Sequence, residues 1–469
     1  MRDYLLVHIN GVPHRIAGET AFETLSRFLR YDQRATGTKI VCEEGDCGAC
    51  TVLVGRVENG ILRYRPVNSC IQMLFQLDCT HVVTVEGLTK DGALTPLQES
   101  MVQCHGAQCG YCTPGFVMAM AGLFESTDAP TDEAARASIT GNLCRCTGYE
   151  PIVKAAVETR SQPRVEQLYP EEPILAAIAA AAREPVRIAH FARPVELDDA
   201  IAFKAGHPNT VIVQGGTDFG VWQTKRGFTP EAVLSLDGLE GLDRIETGHH
   251  DGMKVLYVGG RAKLARFETA IRELVPELVP IMDRFGSPQI KNAGTLVGNI
   301  ANASPIADSL PFLFVTESWL ELAGRTGTRT VPIDRFYLGY KKLDLRDDEI
   351  ITRIVIPLPQ ADDTLRLYKV SKRSHLDIST FTAAMLMRRT NGTIDSIRIA
   401  YGGVAPVVLR LRATEAFLAG RPHALASFQA AADVARGEVA PITDVRGTRE
   451  HRLQLAGRIL ERFHYDTCT

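Results

Sequence analysis

Several features that would assign a protein to a particular class are missing from this sequence. Its 469 residues carry a formal net charge of −3 and contain no long basic run, so we expect no nucleic-acid binding. The most apolar stretch, Ile174 to Ala182, covers nine residues, far short of the ~20 needed to span a bilayer. The hydrophobic content of 45% and charged content of 23% are those of an ordinary globular protein. We therefore expect no membrane segment and no nucleic-acid partner.

Signals for secretion and for a common nucleotide-binding fold are also missing. Met1 to Asn10 has the alternation of a strand, with Leu5, Val7 and Ile9 on one face. We therefore expect no signal peptide and a cytoplasmic location. Reduced thiols suit that compartment, so a disulfide framework is not expected. The chain shows no internal repeat and no convincing G-x-G-x-x-G fingerprint of a Rossmann unit.

Cysteine, by contrast, is concentrated at the amino-terminal end. Ten of the 11 cysteines fall within the first 146 residues, and eight of them sort into two sets of four. The first set follows C-x4-C-x2-C with one later member: Cys42, Cys47, Cys50 and Cys70. The second set pairs C-x2-C with C-x-C: Cys109, Cys112, Cys144 and Cys146. The other three, Cys79, Cys104 and Cys468, are expected to be packing residues.

The two spacings differ in what they predict. The first is typical of plant-type 2Fe–2S ferredoxins, and Gly45 and Gly48 allow the loop to turn its N–H groups inward. Zinc or disulfides are the alternatives there. Read alone, the second set fits zinc as well as iron. Its context favours thiolates, because Pro114 and the segment 147–151 predict helices that start after each pair.

The hydrophobic pattern predicts several domains along the chain, as expected for its length. Thr20 and Glu23 form a candidate capping box before a helix whose apolar face includes Phe22 and Leu25. We expect an α+β multidomain protein divided as follows: 1–86, 87–160, a linker at 161–189, 190–356 and 357–469.

The cysteine motifs resemble those of a known family. CEEGDCGACTVLV with a later NSC, then QCGYCTPGF, then GNLCRCTGY, are similar to the iron–sulfur region of the molybdenum hydroxylases. That group includes xanthine dehydrogenase, aldehyde oxidase and carbon monoxide dehydrogenase. The resemblance implies a β-grasp ferredoxin-like domain at 1–86, a helical domain at 87–160, and all eight cysteines as ligands of two 2Fe–2S clusters. It also implies that the second cluster lies nearer the molybdenum centre and the first nearer the flavin.

Two glycine-bearing segments, 213–220 and 292–299, lie in the second half. Each alone is as readily a tight structural turn. Together they resemble the flavoprotein domain of the same family, whose fold is shared with vanillyl-alcohol oxidase, followed by an α+β C-terminal domain. The resemblance implies FAD contacts from these residues: Val213, Gln214, Gly215, Gly216, Thr217, Asp218, Phe219, Gly220, Phe285, Thr295, Gly298, Asn299, Asp308, Ile351 and Lys369. The family's NAD site is less clearly preserved, with Tyr340 matching one position and Ser374 to Asp377 standing where an acidic cluster is expected.

No domain-length stretch is left for a molybdopterin region, so the substrate site is expected on another chain. Clusters and flavin on one chain resemble the small subunits of bacterial xanthine dehydrogenases. That resemblance implies an electron-transfer subunit serving hypoxanthine and xanthine oxidation to urate, with NAD⁺ as acceptor, in an (αβ)2 heterotetramer with a large molybdopterin-binding subunit. Three alternatives stay open: an aldehyde or other N-heterocycle as substrate, a self-contained iron–sulfur flavin reductase, and a zinc-stapled binding module.

Overall fold

The computed structural model describes residues 1–89 and 92–468. Lys90, Asp91 and Thr469 fall inside the predicted ranges 87–160 and 357–469 but lie outside the described residues. The chain forms two compact units: Met1–Glu240 with Gly286–Gly294, and Gly241–Phe285 with Thr295–Thr469. The predicted multidomain α+β class is confirmed, whereas the predicted domain boundaries stay predictions. Within the described chain, no helix combines the length and apolarity that a membrane crossing requires.

A five-stranded mixed sheet opens the first unit. Its strands lie in the order Val12–Ile16, Leu5–Ile9, Thr80–Val83, Thr51–Glu58 and Ile61–Asn68. Leu5–Ile9 pairs in parallel with Thr80–Val83, and the other pairings are antiparallel. Leu5, Val7 and Ile9 are buried as the alternation predicted. The sheet has the mixed arrangement expected of a β-grasp domain.

The α-helix that packs on this sheet begins later than the sequence predicted. A separate 3-10 turn covers Gly18–Phe22, and the α-helix Leu25–Arg27 then continues into the π-helix Phe28–Asp32. Thr24 caps the α-helix, since its hydroxyl accepts the N–H of Arg27 at 3.4 Å. The carbonyl of Thr20 accepts the N–H of Glu23 instead, which closes the 3-10 turn. The predicted capping box at Thr20 is therefore wrong.

Helices follow as predicted, at Pro96–Gln103, Thr113–Phe124, Asp132–Ser138 and Glu150–Glu158. Thr113–Phe124 lies at the centre of this group, with eight of its 12 residues buried. Gly122 permits its close approach to the sheet, because a Cβ there would lie 2.7 Å from Pro66 Cδ. The predicted linker 161–189 contains two more helices, Val165–Leu168 and Glu171–Ala182, and the second buries Ile174 and Ile178.

A small four-stranded sheet completes the first unit. Its strands lie in the order Val186–Ile188, Phe191–Arg193, Ala232–Leu234 and Thr210–Ile212. The helices beside it in sequence are Leu197–Gly206 and Thr217–Arg226. Short 3-10 turns occur at Ser69–Ile71, Leu74–Leu77 and Val85–Leu88. The helix Pro288–Ala293 also belongs to this unit, although it lies far along the chain.

The second unit contains two antiparallel sheets. The first has the order Ile245–His250, Met253–Gly259, Ile350–Pro357, Trp319–Gly324 and Gly327–Pro332. The second has the order Asp363–Val370, Phe381–Thr390, Thr393–Gly402 and Leu409–Arg410. The strands Tyr337–Gly339 and Lys342–Leu343 form a hairpin. The helices are Leu264–Leu274, Val279–Asp283, Leu296–Ala301, Leu310–Val315, Ile333–Phe336, Arg412–Leu418, Leu425–Glu438 and Arg449–Asp466, with a 3-10 turn at Pro276–Leu278.

Candidate cofactor sites

The four cysteines of the first set converge in the first unit. The Cys42 thiol lies within hydrogen-bonding distance of Cys47 and Cys70, and Cys70 also reaches Cys50. Hydrogen bonds from Cys47 and then Cys70 lower the pKa of Cys42, and the bond from Cys70 lowers that of Cys50. The pKa values of the donating thiols Cys47 and Cys70 are raised, chiefly by their bonds to Cys42. Four thiols this close form a donor set that fits a thiolate-ligated iron cluster.

The loop that carries three of these cysteines turns as the glycine positions predicted. Gly45 and Gly48 have φ values of 75° and 68°, a conformation that favours glycine. A Cβ on Gly48 would lie 2.2 Å from the carbonyl oxygen of Gly141, so the position also needs a residue without a side chain. The N–H of Cys47 points to Cys42 Sγ at 3.5 Å, the kind of amide contact that stabilises negative charge on sulfur.

The second set also converges. Cys109 and Cys146 have their Sγ atoms 3.8 Å apart, and Cys112 and Cys144 share a hydrogen bond. Burial, followed by the contact with Cys144, raises the pKa of Cys112 to about 12. Burial would also raise the pKa of Cys144, but hydrogen bonds from the hydroxyl and N–H of Thr147, at 3.1 and 3.5 Å, outweigh it and lower that pKa. Cys109 and Cys146 are exposed, so this set lies at the surface of the unit.

The two sets are neighbours joined by backbone contacts. Leu143, directly before Cys144, donates its N–H to the carbonyl of Cys47 at 3.0 Å. Asn142 donates from Nδ2 to the carbonyl of Gly48, also at 3.0 Å. Gly115 brings the helix after Cys112 against the same loop, since a Cβ there would lie 2.3 Å from Gly48 O. Sequence spacing assigned the members of each set but gave no sign of this junction.

The first glycine-bearing segment packs directly on the residues around Cys70. Gly216 has φ 69° and precedes the helix Thr217–Arg226. A Cβ on Gly220 would lie 2.3 Å from the carbonyl oxygen of Ile71. Gln72 Nε2 donates to the carbonyl of Gly215 at 3.3 Å. The segment 213–220 therefore lies against the polypeptide of the first cysteine set.

Two side chains of this segment serve the fold. Gln214 donates to Asp237 at 2.6 Å and accepts the N–H of Leu236 at 3.2 Å. Phe219 is buried and packs against the Phe75 ring, with centroids 6.0 Å apart. Contacts from this segment to a pyrophosphate would come from its backbone.

The remaining predicted flavin residues lie in the second unit, where the structure brings several of them together. Lys369 Nζ pairs with Asp308 Oδ2 at 2.7 Å, and its side chain is only 2% exposed. The same ammonium donates to the carbonyl of Arg284 at 3.1 Å, next to the predicted residue Phe285. Burial raises the pKa of Asp308, while Lys369 acts in the opposite direction. Ser379, which the sequence analysis missed, donates to Asp308 Oδ1 at 2.6 Å.

The second glycine-bearing segment divides between the units after Gly294. In the second unit, Thr295 caps the helix Leu296–Ala301, with its hydroxyl accepting the N–H of Gly298 at 2.9 Å. Asn299 accepts a hydrogen bond from Ser309 at 2.7 Å, next to Asp308. Ile351 is buried among the apolar side chains of this unit.

Comparisons with known proteins match three parts of the chain. Residues 84–157 match the model of a 2Fe–2S binding domain, 185–359 that of the FAD binding domain in molybdopterin dehydrogenase, and 366–467 that of the CO dehydrogenase flavoprotein C-terminal domain. In these three regions the chain is similar to the molybdenum hydroxylases. It carries the iron–sulfur and flavin domains of that family on one polypeptide.

Individual relatives extend this assignment. The xanthine dehydrogenase of Oryza sativa subsp. japonica is 28% identical over 497 residues, which cover 89% of this chain and 36% of the relative. The chain thus spans about a third of the length of the curated relatives it matches. The solved carbon monoxide dehydrogenase from Hydrogenophaga pseudoflava is 27% identical with a TM-score of 0.55, covering 60% of this chain and 96% of that one. Quinoline 2-oxidoreductase from Pseudomonas putida 86 is 25% identical with a TM-score of 0.54 and the same coverages.

Proposed function

We propose that this chain is the electron-transfer subunit of a xanthine dehydrogenase. Electrons released from hypoxanthine or xanthine at a molybdopterin site on a partner chain pass through two 2Fe–2S clusters to FAD and then to NAD⁺. The observation that carries the proposal is the contiguous order within the first unit: the second cysteine set at the surface, the first cysteine set, and the glycine-bearing segment packed on the residues that follow Cys70.

The chemistry of the groups supports this order. A 2Fe–2S cluster carries one electron, whereas a flavin exchanges one or two. The flavin can therefore collect single electrons from the clusters and pass two of them to a hydride acceptor. Cys50 and Cys70 are 2% and 1% exposed, which shields that half of the first cysteine set from water, whereas Cys42 and Cys47 are partly exposed. The polypeptide supplies position and environment, while the cofactors supply the redox chemistry.

The surface around the second cysteine set supports a partner chain. Cys109 and Cys146 are exposed, and so are the apolar side chains of Val41, Tyr111 and Leu143. Exposed apolar side chains around a redox site are typical of a docking surface. We propose the large molybdopterin-binding subunit as the occupant, in an (αβ)2 heterotetramer.

Support for the substrate and the acceptor is less direct. Xanthine is proposed because the curated relatives are named xanthine dehydrogenases. NAD⁺ is proposed because Tyr340, the counterpart of a residue near the dinucleotide, is 66% exposed on its hairpin. Asp377 supplies no free acidic cluster, since its carboxylate accepts the N–H groups of Lys372 and Arg373 at 2.8 and 2.9 Å.

One alternative keeps the electron path and changes the substrate. The structural likeness to quinoline 2-oxidoreductase favours a different N-heterocycle as the second candidate, with an aldehyde as a third. The substrate pocket would lie on the partner, so the same chain serves each of these reactions.

Purification of the native protein tests the proposal. We expect a co-purifying chain that contains molybdenum, about four irons and one flavin per copy of this chain, and two distinct binuclear signals in electron paramagnetic resonance after dithionite treatment. The complex should oxidise xanthine with NAD⁺. Activity on benzaldehyde or quinoline instead would transfer the assignment to the corresponding alternative. A stable chain that reduces a small carrier from NADH without any partner would support a self-contained flavin reductase.

A further inference from the structure

The junction between the two cysteine sets is held by a buried amide from a distant part of the chain. Gln289, on the helix Pro288–Ala293, donates from Nε2 to Asn142 Oδ1 at 2.8 Å and to Thr51 Oγ1 at 3.3 Å. Thr51 in turn donates its hydroxyl to the carbonyl of Gly48 at 2.6 Å. Gln289 and Asn142 are 0% and 2% exposed, so no solvent replaces these bonds when one is lost.

The hydrogen bonds fix the orientation of both amides. Asn142 uses Nδ2 as the donor to Gly48, which leaves Oδ1 as an acceptor that only the Nε2 of Gln289 can satisfy. The Oε1 of Gln289 is therefore directed away, and it is buried without a hydrogen-bond partner in the described structure. It rests against Gly141, where a Cβ would lie 2.1 Å from it. An unpaired buried carbonyl destabilises the fold, so the arrangement is not explained by stability alone.

We propose that Gln289 is a positioning residue for electron transfer between the two iron–sulfur sites. Through Asn142 and Thr51 it holds the segment before Cys144 against the loop that carries Cys47, and so fixes the separation of the two sites. The rate of electron transfer falls steeply with separation, so a loosened junction slows the transfer. This inference depends on the proposed function, because it assumes that both sites hold clusters.

The step itself is simple. One electron leaves the reduced site of the second set and arrives at the oxidised site of the first set. No bond forms or breaks, and no proton moves. The electron comes from the substrate oxidised on the partner chain or, in a test, from dithionite.

The test uses the full holo chain carrying Gln289→Met, which keeps the volume of the side chain and removes the donor. We expect unchanged iron and flavin content, a weaker magnetic interaction between the two reduced sites, and intersite transfer about tenfold slower after photochemical injection of one electron, as for other hydrogen bonds around metal sites. Asn142→Ser should have the same effect. The double variant should be no slower than either single one, because both break one chain of hydrogen bonds.

Asn292→Ala is the matched control. Asn292 lies on the same helix and donates to the carbonyl of Pro66 at 2.9 Å, away from the junction. It should leave the magnetic interaction and the transfer rate unchanged.

The outcomes separate this inference from the function on which it depends. Two normal signals and an unaltered transfer rate in Gln289→Met would overturn the inference alone. Equal slowing by Asn292→Ala would also overturn it, because the helix would then act only through general packing. Loss of iron from both junction variants would assign the network to assembly and overturn it too. A wild-type chain without two binuclear signals would instead remove the proposed function.

Discussion

At the scale of single residues, the cysteines differ by environment. Eight converge in two groups, and hydrogen bonds between thiols shift their pKa values in opposite directions. Cys79 lies apart from them, and burial followed by the charge of Asp78 raises its pKa to about 12, which makes it inert. Cys104 contacts Glu158 at 3.2 Å on the surface of a helix. Cys79 and the partly buried Cys104 pack in or against one apolar cluster, as predicted. Cys468 is exposed, so its predicted packing role is wrong.

Substitution of one ligand should empty one site only. In Cys70→Ser we expect about half of the iron to be lost, together with one of the two binuclear signals, because a cluster needs four thiolates. Cys104→Ser, outside both sets, is the control and should keep all of the iron. Iron analysis and electron paramagnetic resonance measure both. Full iron content in Cys70→Ser would show that Cys70 is not a ligand.

The carboxyl group of Glu125 makes the free energy of unfolding of the first unit depend on pH. Burial raises the pKa of Glu125 from 4.5 to about 7, although its carboxylate accepts the N–H of Val165 at 2.9 Å. The folded state therefore holds a proton that the unfolded state releases between about pH 4.5 and 7. The free energy of unfolding contributed by this group falls as the pH rises through that window and is constant above it.

Glu125→Gln should remove the fall in the free energy of unfolding that Glu125 causes as the pH rises. We expect its melting temperature to match that of the wild type near pH 5 and to exceed it by a few degrees near pH 8. Glu133→Gln, at an exposed position, should show no such pH-dependent difference. Differential scanning calorimetry across the range is the measurement. A constant difference between Glu125→Gln and the wild type at all pH values would contradict the assignment.

At the scale of elements, the helix Thr217–Arg226 and the turn Ser69–Ile71 are packed backbone to backbone. The contact needs a glycine at position 220, because a Cβ there would overlap with the carbonyl oxygen of Ile71. It connects the polypeptide of the first cysteine set to the segment 213–220. The close approach therefore accounts for a glycine at a helical position, where alanine would ordinarily be more stable.

Gly220→Ala should reverse that ordinary preference. Moving two packed backbone segments apart costs more free energy than moving a flexible side chain. The cost of the clash should therefore exceed the gain in helix propensity and lower the free energy of unfolding by about 2 kcal/mol. We also expect reduced flavin content with unchanged iron. Gly206→Ala is the control, since nothing lies within 4 Å of a Cβ there. Urea unfolding and the flavin-to-iron ratio report the effect, and equal stability of the two variants would refute it.

The elements also show how far the sequence could predict the structure. The hydrophobic periods and turn residues of 194–220 predict a helix, a strand and a glycine turn, and those after 355 predict strands. The structure has these elements, because such patterns are local signals. The predicted capping box failed because Thr20 and Thr24 both precede acceptable helix positions, and packing of Leu25 and Phe28 in the sheet core decides between them. The partnership of Gln289 with Asn142 spans 147 residues, and such contacts leave no trace in local spacing.

At the scale of the whole molecule, one chain joins groups with different electron capacities. The matches to 2Fe–2S and FAD binding domains cover separate parts of it. The two units keep their own apolar cores. We therefore expect such a chain to hold several electrons at once.

Reductive titration of the holo chain should measure this capacity. We expect about four electrons per chain, one for each cluster and two for the flavin. The Cys70→Ser variant should accept about three. Coulometric titration with spectroscopic monitoring counts them. A wild-type capacity of two electrons, with spectral changes of the flavin alone, would mean that only the flavin is redox-active.

The helix Pro288–Ala293 has a consequence for how such a gene can be divided. It belongs to the unit built mainly from residues before Glu240, yet it is encoded well after that point. A fission of the gene at Glu240 would give an amino-terminal product that lacks the segment Gly286–Gly294. The carboxy-terminal product would carry that segment without the unit into which it packs. In an organism that carried such a split, the first unit would be complete only after the two products had associated.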